Sequence, residues 1–326
     1  MLRRIAIALA VLIGLVIAVP VISSLASLDW TRAHTHATAA LPLISESIDA
    51  GLVRIPANGF EFRARVAGMQ SEGENVILLH GFPATSAMWA PVVDALVEQG
   101  YRVVAYDQRG YSPGARPEGV AAYTVDRTSD DVIAVADALG FERFHLVGHD
   151  WGCVAGWVTA VRHPQRLLSW SGMSIPHVGA MIEELSGELP TYIRIFNLPG
   201  VSELTLSVAG FHQFRRRLPK VEPLHSEAVA ALSEPGALTG ALNWYRAIPL
   251  SFGALEVDSY ALELPVLFVW GEREAWVTKE RLEAQRALMR GPYEELELDA
   301  GHWVVQDQPD AVIAGLLAHL ARVDER

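Results

Sequence analysis

The chain has 326 residues, about half of them hydrophobic, enough to bury a sizeable core as one elaborated domain or as two smaller ones. Acidic residues number 38 against 26 basic, a formal charge of −12 with no long basic block, which argues against nucleic acid as a partner. Cys153 is the only cysteine, so an intrachain disulfide is impossible, and its apolar neighbours mark it as a small buried hydrophobe.

Residues 1–28 differ in kind from the rest. Arg3 and Arg4 precede an uncharged apolar stretch over 5–28, and a bilayer core needs roughly 20 such residues in a helix. As a signal peptide, the stretch would be broken by Pro20 and cleaved near the small residues of Ser24-Leu25-Ala26. As a transmembrane anchor it would stay in place, and its length favours this reading. Either way the two arginines keep the N-terminus cytoplasmic and put the remainder on the far side. Residues 29–50 read as a polar linker, in which His34 and His36 lack further ligands for a metal.

A first core segment is expected over 51–174. Alternation over 52–55 and 60–66 predicts an antiparallel hairpin turned at Asn58-Gly59. Val76-Ile77-Leu78-Leu79 is continuously apolar, as in a strand covered on both faces. A helix is expected over 86–98, a strand over 102–106, a helix over 125–139 and a strand over 144–147. Gly148-His149-Asp150-Trp151-Gly152 follows, leading into a helix of small and apolar residues, and 167–173 forms another strand. Strands alternating with helices at this spacing predict a mostly parallel, doubly wound α/β sheet. Over 175–257 the rhythm breaks into helical stretches with prolines, which reads as an inserted helical cap. Alternation resumes over 258–326, with strands at 266–270 and 294–298 and helices at 278–289 and 311–320. The short run Arg215-Arg216-Arg217 reads as a solvated helix face.

Strand, Gly-x-nucleophile-x-Gly turn and helix form a nucleophile elbow, here with Asp150 where a serine would stand. A carboxylate attacking an ester or amide carbonyl would give a labile anhydride. It is suited to displacement at saturated carbon, forming an alkyl ester that water cleaves. An electrophilic sp³ carbon, as in an epoxide or alkyl halide, is therefore expected in the substrate. His302 directly follows the last strand, placed to activate that water. Glu274 follows the strand ending at Trp270 and would orient His302 and stabilise its imidazolium form. Glu272 competes for this role, with a surface ion pair to Arg273 as its alternative. His80-Gly81-Phe82-Pro83 follows the strand at 76–79. A backbone N–H from this loop, assigned to Phe82, would complete an oxyanion hole with that of Trp151. His145 and His149 lie on a strand and its turn, a poor arrangement for zinc.

These residues resemble the epoxide hydrolases of the α/β-hydrolase superfamily from about Gly51 to the C-terminus. The resemblance rests on the His80 to Pro83 motif, Asp107-Gln108-Arg109-Gly110-Tyr111-Ser112, the aspartyl elbow and two cap segments. In that family two cap tyrosines hydrogen-bond the epoxide oxygen. Asn243-Trp244-Tyr245-Arg246 matches one motif and the stretch from Tyr192 to Gly200 the other, which implies Tyr245 and Tyr192 in this role. The family's acid is more often aspartate, so Glu274 is a departure that lengthens the side chain without changing its chemistry. The resemblance implies an epoxide and water as the small-molecule partners, with no metal or organic cofactor. Haloalkane dehalogenases share an aspartyl elbow followed by tryptophan, but their second halide donor falls at Phe82, which has none. A non-catalytic binding protein on the same scaffold is a further alternative. Oligomeric state and the particular epoxide are left open.

Overall fold

The computed structural model describes residues 40–185, 189–253 and 259–325. Eight strands form one sheet: β1 (Gly51–Ala57), β2 (Phe60–Ala67), β3 (Asn75–Leu79), β4 (Arg102–Tyr106), β5 (Phe144–His149), β6 (Leu167–Met173), β7 (Val266–Gly271) and β8 (Tyr293–Leu298). Their order is β1-β2-β4-β3-β5-β6-β7-β8. The β1–β2 hairpin turns on Asn58 and Gly59, at φ 49° and 77°, the left-handed pair a two-residue turn requires. β2 pairs antiparallel with β4, and every pairing beyond β4 is parallel. The core helices are α1 (Ala90–Glu98), α2 (Val125–Ala138) and α3 (Trp151–Arg162). α2 packs with α3 on one face of the sheet, and α1 packs with the C-terminal helix Pro309–Asp324 on the other. Covered on both faces, β3 and β5 are buried along their whole length, which explains the unbroken apolar run Val76–Leu79 of β3.

Two local departures from the sequence reading have physical causes. The helix expected over 86–98 divides into a 3₁₀ turn, Ser86–Trp89, and α1, with Pro91 in the first turn of α1. Proline lacks an N–H, so it can open an α-helix but cannot continue one. The described end of the expected linker is docked. Arg54 N–H donates to Pro42 O at 2.8 Å and Ile44 N–H to Arg54 O at 2.9 Å, covering the exposed edge of β1. The apolar stretch over 5–28 lies outside the described residues. Among the described residues no helix is long and apolar enough to cross a membrane.

Between β6 and β7 lies the cap: α4 (Val178–Leu185), α5 (Thr191–Phe196), α6 (Val201–Arg217), α7 (Leu224–Ser233), α8 (Ala237–Arg246) and α9 (Ile248–Gly253). The remaining helices are α10 (Lys279–Leu288), α11 (Val304–Asp307) and α12 (Pro309–Asp324). The loop after β4 fastens α8 to the core. Arg109 grips buried Asp131 with two hydrogen bonds of 2.7 and 2.6 Å, and its carbonyl accepts the Trp244 indole N–H at 2.9 Å. The α8 backbone can come this close only because Gly240 has no side chain. A Cβ there would lie 2.7 Å from Gly110 Cα. Arg63 to Glu227 at 2.7 Å and Arg116 to Glu234 at 2.7 Å tie the α7 region to the same edge.

Candidate active site

Asp150 sits between β5 and α3 with φ 53° and ψ −120°. That conformation costs an ordinary L-residue about 1–3 kcal/mol, and the surrounding packing enforces it. Gly152 lies so close to β3 that a Cβ would be 2.2 Å from Leu79 O. The elbow's glycine spacing is thus the local condition for holding the carboxylate above the sheet. Oδ1 accepts the Phe82 N–H at 2.6 Å, and the Trp151 N–H bonds the same carboxylate. Both N–H groups assigned to the oxyanion hole therefore meet the Asp150 carboxylate itself.

His302 faces the other oxygen, with Nε2 3.4 Å from Oδ2 of Asp150. Its Nδ1–H donates to Glu274 Oε2 at 2.5 Å. Glu274 is itself buried, and its second oxygen accepts the Trp276 N–H at 3.0 Å. Glu272 instead pairs with Arg273 at 2.8 Å on the surface. The geometry thus brings Asp150, His302 and Glu274 together and leaves Glu272 outside. Burial alone would lower the His302 pKa, but hydrogen bonds to Asp150 and Glu274 outweigh it and raise it to about 10. Burial alone would raise the Asp150 pKa; the His302 and Trp151 N–H bonds hold it below the ordinary carboxylate value. The resting pair is therefore carboxylate and imidazolium.

Above Asp150 a cavity opens, lined by Trp151, Val154, Ile175, Met181, Tyr192, Ile193, Tyr245, Ile248, Phe252 and Trp276 around the carboxylate. Tyr245 is 6 % exposed on α8 and Tyr192 40 % exposed on α5, with their rings 6.3 Å apart. Burial, then the charge of Asp150, pushes both phenols above their ordinary value, so both keep their protons at neutral pH. The rest of the cavity lining is apolar apart from the indoles of Trp151 and Trp276, which hydrogen-bond Tyr245 and Tyr192. Among the described residues no group of His, Cys, Asp and Glu could hold a metal ion.

Several contributors carry no role in the sequence reading. His149 Nε2–H and Ser174 Oγ–H both donate to the His302 carbonyl, at 2.7 and 2.8 Å, fixing the backbone from which its imidazole projects. Burial lowers His149 to about pKa 4, with the His302 charge adding to the effect, so it stays a neutral donor. His80 Nε2 accepts the Gln108 N–H at 3.0 Å, which leaves Nδ1 as the donor to Gly81 O at 3.0 Å and pins the loop carrying Phe82. Trp276 supports Glu274 and walls the cavity beside Tyr192. His149 stands inside the quoted elbow and Trp276 two residues after Glu274, so proximity to Asp150 and Glu274 was the available signal. Ser174 had none, since its contact spans from the end of β6 to the loop after β8.

A carboxylate at the elbow of such a sheet, with a histidine–carboxylate pair behind it, is the arrangement of an α/β hydrolase. Residues 74–309 match the alpha/beta hydrolase fold family. The chain is 30% identical over 315 residues to epoxide hydrolase A of Mycobacterium tuberculosis, across 83% of this chain and 98% of that protein. It is 30% identical over 283 residues to epoxide hydrolase 4 of Mus musculus, covering 81% and 77% of the two chains. The crystal structure of epoxide hydrolase A from Mycobacterium thermoresistibile matches with a TM-score of 0.73 at 29% identity, over 83% of this chain and 98% of that one. The chain belongs to the α/β-hydrolase fold family and, within it, to the epoxide hydrolases.

Proposed function

We propose that the protein converts an epoxide and water to a vicinal diol through a covalent ester on Asp150. The observation that carries this reading is one carboxylate beneath two protonated phenols, with a histidine–carboxylate pair at its flank. Oδ2 of Asp150 attacks an epoxide carbon and the C–O bond opens. The oxygen stays attached as an alkoxide, whose charge Tyr192 and Tyr245 meet by hydrogen bonding and proton donation. A departing halide would be a stable anion needing no proton, so two phenols favour ring opening over dehalogenation.

The His302 proton closes the balance. Once Asp150 is esterified it no longer carries the charge that holds the imidazolium, and His302 releases its proton, which restores the phenol. Neutral His302, oriented by Glu274, then takes a proton from water as that water adds to the ester carbonyl. The resulting oxyanion lies at Oδ1, where the N–H groups of Phe82 and Trp151 converge. Collapse releases the diol and regenerates carboxylate and imidazolium. The apolar lining fits a small hydrophobic epoxide.

For cellular placement, residues 1–28 supply a single membrane span with the catalytic domain on the non-cytoplasmic side, or a signal whose cleavage exports it. Single turnover in ¹⁸O-water tests the chemistry. The first diol should carry little label, with label entering on later turnovers as the carboxylate exchanges. Full labelling in the first turnover would mean direct attack by water and remove the ester.

A further inference from the structure

Large apolar side chains exposed to solvent are distributed unevenly. Among the described residues they are Leu43, Tyr192, Ile195, Leu198, Val201, Leu204, Val221 and Leu250, and all but Leu43 belong to the cap. Five recur at every third position from 192 to 204, across α5, the turn after it and the first turn of α6. Single exposed apolar residues need no explanation, whereas a run of them marks a contact surface. Within this run the charged residues are Arg194 and Glu203, and Glu203 is bound by Arg246 at 2.9 and 3.0 Å. One end of the run is Tyr192, which also lines the cavity, so the surface borders the mouth of the site.

We propose that this cap edge, residues 192–204, docks onto the surface of a lipid bilayer, so that hydrophobic epoxide passes from the membrane into the cavity beside Tyr192. Bilayer is favoured over a second copy because of what precedes the described chain. The uncharged stretch over 5–28 is long enough to span a bilayer, and residues 29–39 separate it from the first described residue. Fully extended, that tether reaches roughly 35–40 Å, so the domain is held beside the membrane whenever the span is inserted. The docking rests on the anchor reading for that tethering, while the patch itself is a property of the cap. Tyrosine at the boundary between apolar surface and polar cavity suits an interface, where the ring is buried and the hydroxyl stays hydrated. An interfacial segment of this kind sinks its apolar side about 5–10 Å into the headgroup and acyl boundary.

The test uses the full chain in phosphatidylcholine vesicles with a fluorophore on Leu204→Cys. Cys153 is fully buried and its thiol pKa is raised by burial, so labelling is confined to the new site. Glu98→Cys, exposed at the end of α1 and remote from the cap, is the control. Nitroxide-labelled acyl chains should quench the label at 204 several-fold more than the label at 98. Equal quenching overturns the docking, as does shielding of 204 that needs no lipid and grows with protein concentration, which would assign the patch to a second copy. Resistance to alkaline carbonate extraction reports the anchor separately, and the fluorophore judges the patch whether or not the anchor holds. In function, Leu198→Asp with Leu204→Asp should raise KM about tenfold for a long-chain epoxide held in vesicles, leaving turnover of a water-soluble epoxide unchanged. An equal loss on both substrates would make the patch a structural element and sink the proposal.

Discussion

The two cap tyrosines present the same phenol to the same carboxylate from opposite mechanical settings. Tyr245 stands on α8, whose preceding residue Trp244 donates its indole N–H to Arg109 O and whose Gly240 lies against Gly110. Arg109 is in turn locked to Asp131 inside the core. Tyr192 stands on α5, at an apolar edge of the cap that solvent reaches; its ring meets Phe196 and Tyr245, and its hydroxyl bonds the Trp276 side chain on the loop after β7. Arg246 of α8 donates to Phe196 O at 3.1 Å, and the Phe196 ring lies 5.5 Å from that of Phe82 on the core loop after β3. One donor is thus buried on a helix fastened to the scaffold that also carries Asp150, and the other stands partly in solvent, touching that scaffold through Trp276 and Phe82. Two donors of equal chemistry are in this way given unequal burial, and the more exposed one lies at the mouth.

The largest expected effect bypasses the tyrosines and isolates the step after them. His302→Gln should alkylate on Asp150 and then stall, with ester hydrolysis slowed by roughly 10²–10⁴-fold. Intact-mass analysis after substrate addition should show one adduct per chain. Unimpaired turnover by this variant would take His302 out of the mechanism.

Next in size are Tyr245→Phe and Tyr192→Phe, each expected to slow epoxide alkylation by about 10²-fold, the loss of one positioned donor. The double variant should be nearly inert toward epoxides in pre-steady-state alkylation. Parent-like ring opening by the double variant would reduce both tyrosines to packing.

Trp244→Phe sharpens the comparison, because it removes only the indole donor that ties α8 to Arg109. It should destabilise the fold by about 1–3 kcal/mol through the unpaired Arg109 carbonyl. Alkylation should fall by about tenfold as Tyr245 loses register. If combining it with Tyr245→Phe multiplied the two losses in full, the tie would act elsewhere than through Tyr245. Denaturant melts and single-turnover rates measure both quantities.

A separate effect is on stability against pH. The folded His302 pKa, raised to about 10, stands above its ordinary 6.5. Its contribution to stability is therefore complete below about pH 6.5 and fades as pH climbs to 10. His302→Gln should flatten the stability profile across this window. An unchanged slope between pH 7 and 10 would show that His302 is not held as imidazolium.

Much of this molecule could be read along the chain because the rules involved are short-range. Asn58-Gly59 makes a hairpin turn through two left-handed residues, and unbroken apolar runs become covered strands. Gly148 and Gly152 around Asp150 announce a turn that only small neighbours allow. The order aspartate, glutamate, histidine after successive strands was equally legible, since parallel strands deliver their C-terminal ends to one edge. Position in sequence favoured Glu274 over Glu272 without deciding between them. They are two residues apart on one loop, and only the fold turns Glu274 inward to His302 while Arg273 draws Glu272 to the surface. The same holds for His149 and Ser174, whose shared partner is the carbonyl of His302, more than a hundred residues away.

Local sequence sufficed for the α/β sheet and for the elbow with its aspartate, since backbone sterics and burial period act between near neighbours. The tertiary structure alone decided the imidazolium state of His302, the convergence of Phe82 and Trp151 N–H groups on Asp150, and the unequal seating of Tyr192 and Tyr245. Those depend on how the loops after β3, β5, β7 and β8 and the cap close over one another, because charge coupling and hydrogen-bond geometry exist only between groups that packing has brought within a few ångströms.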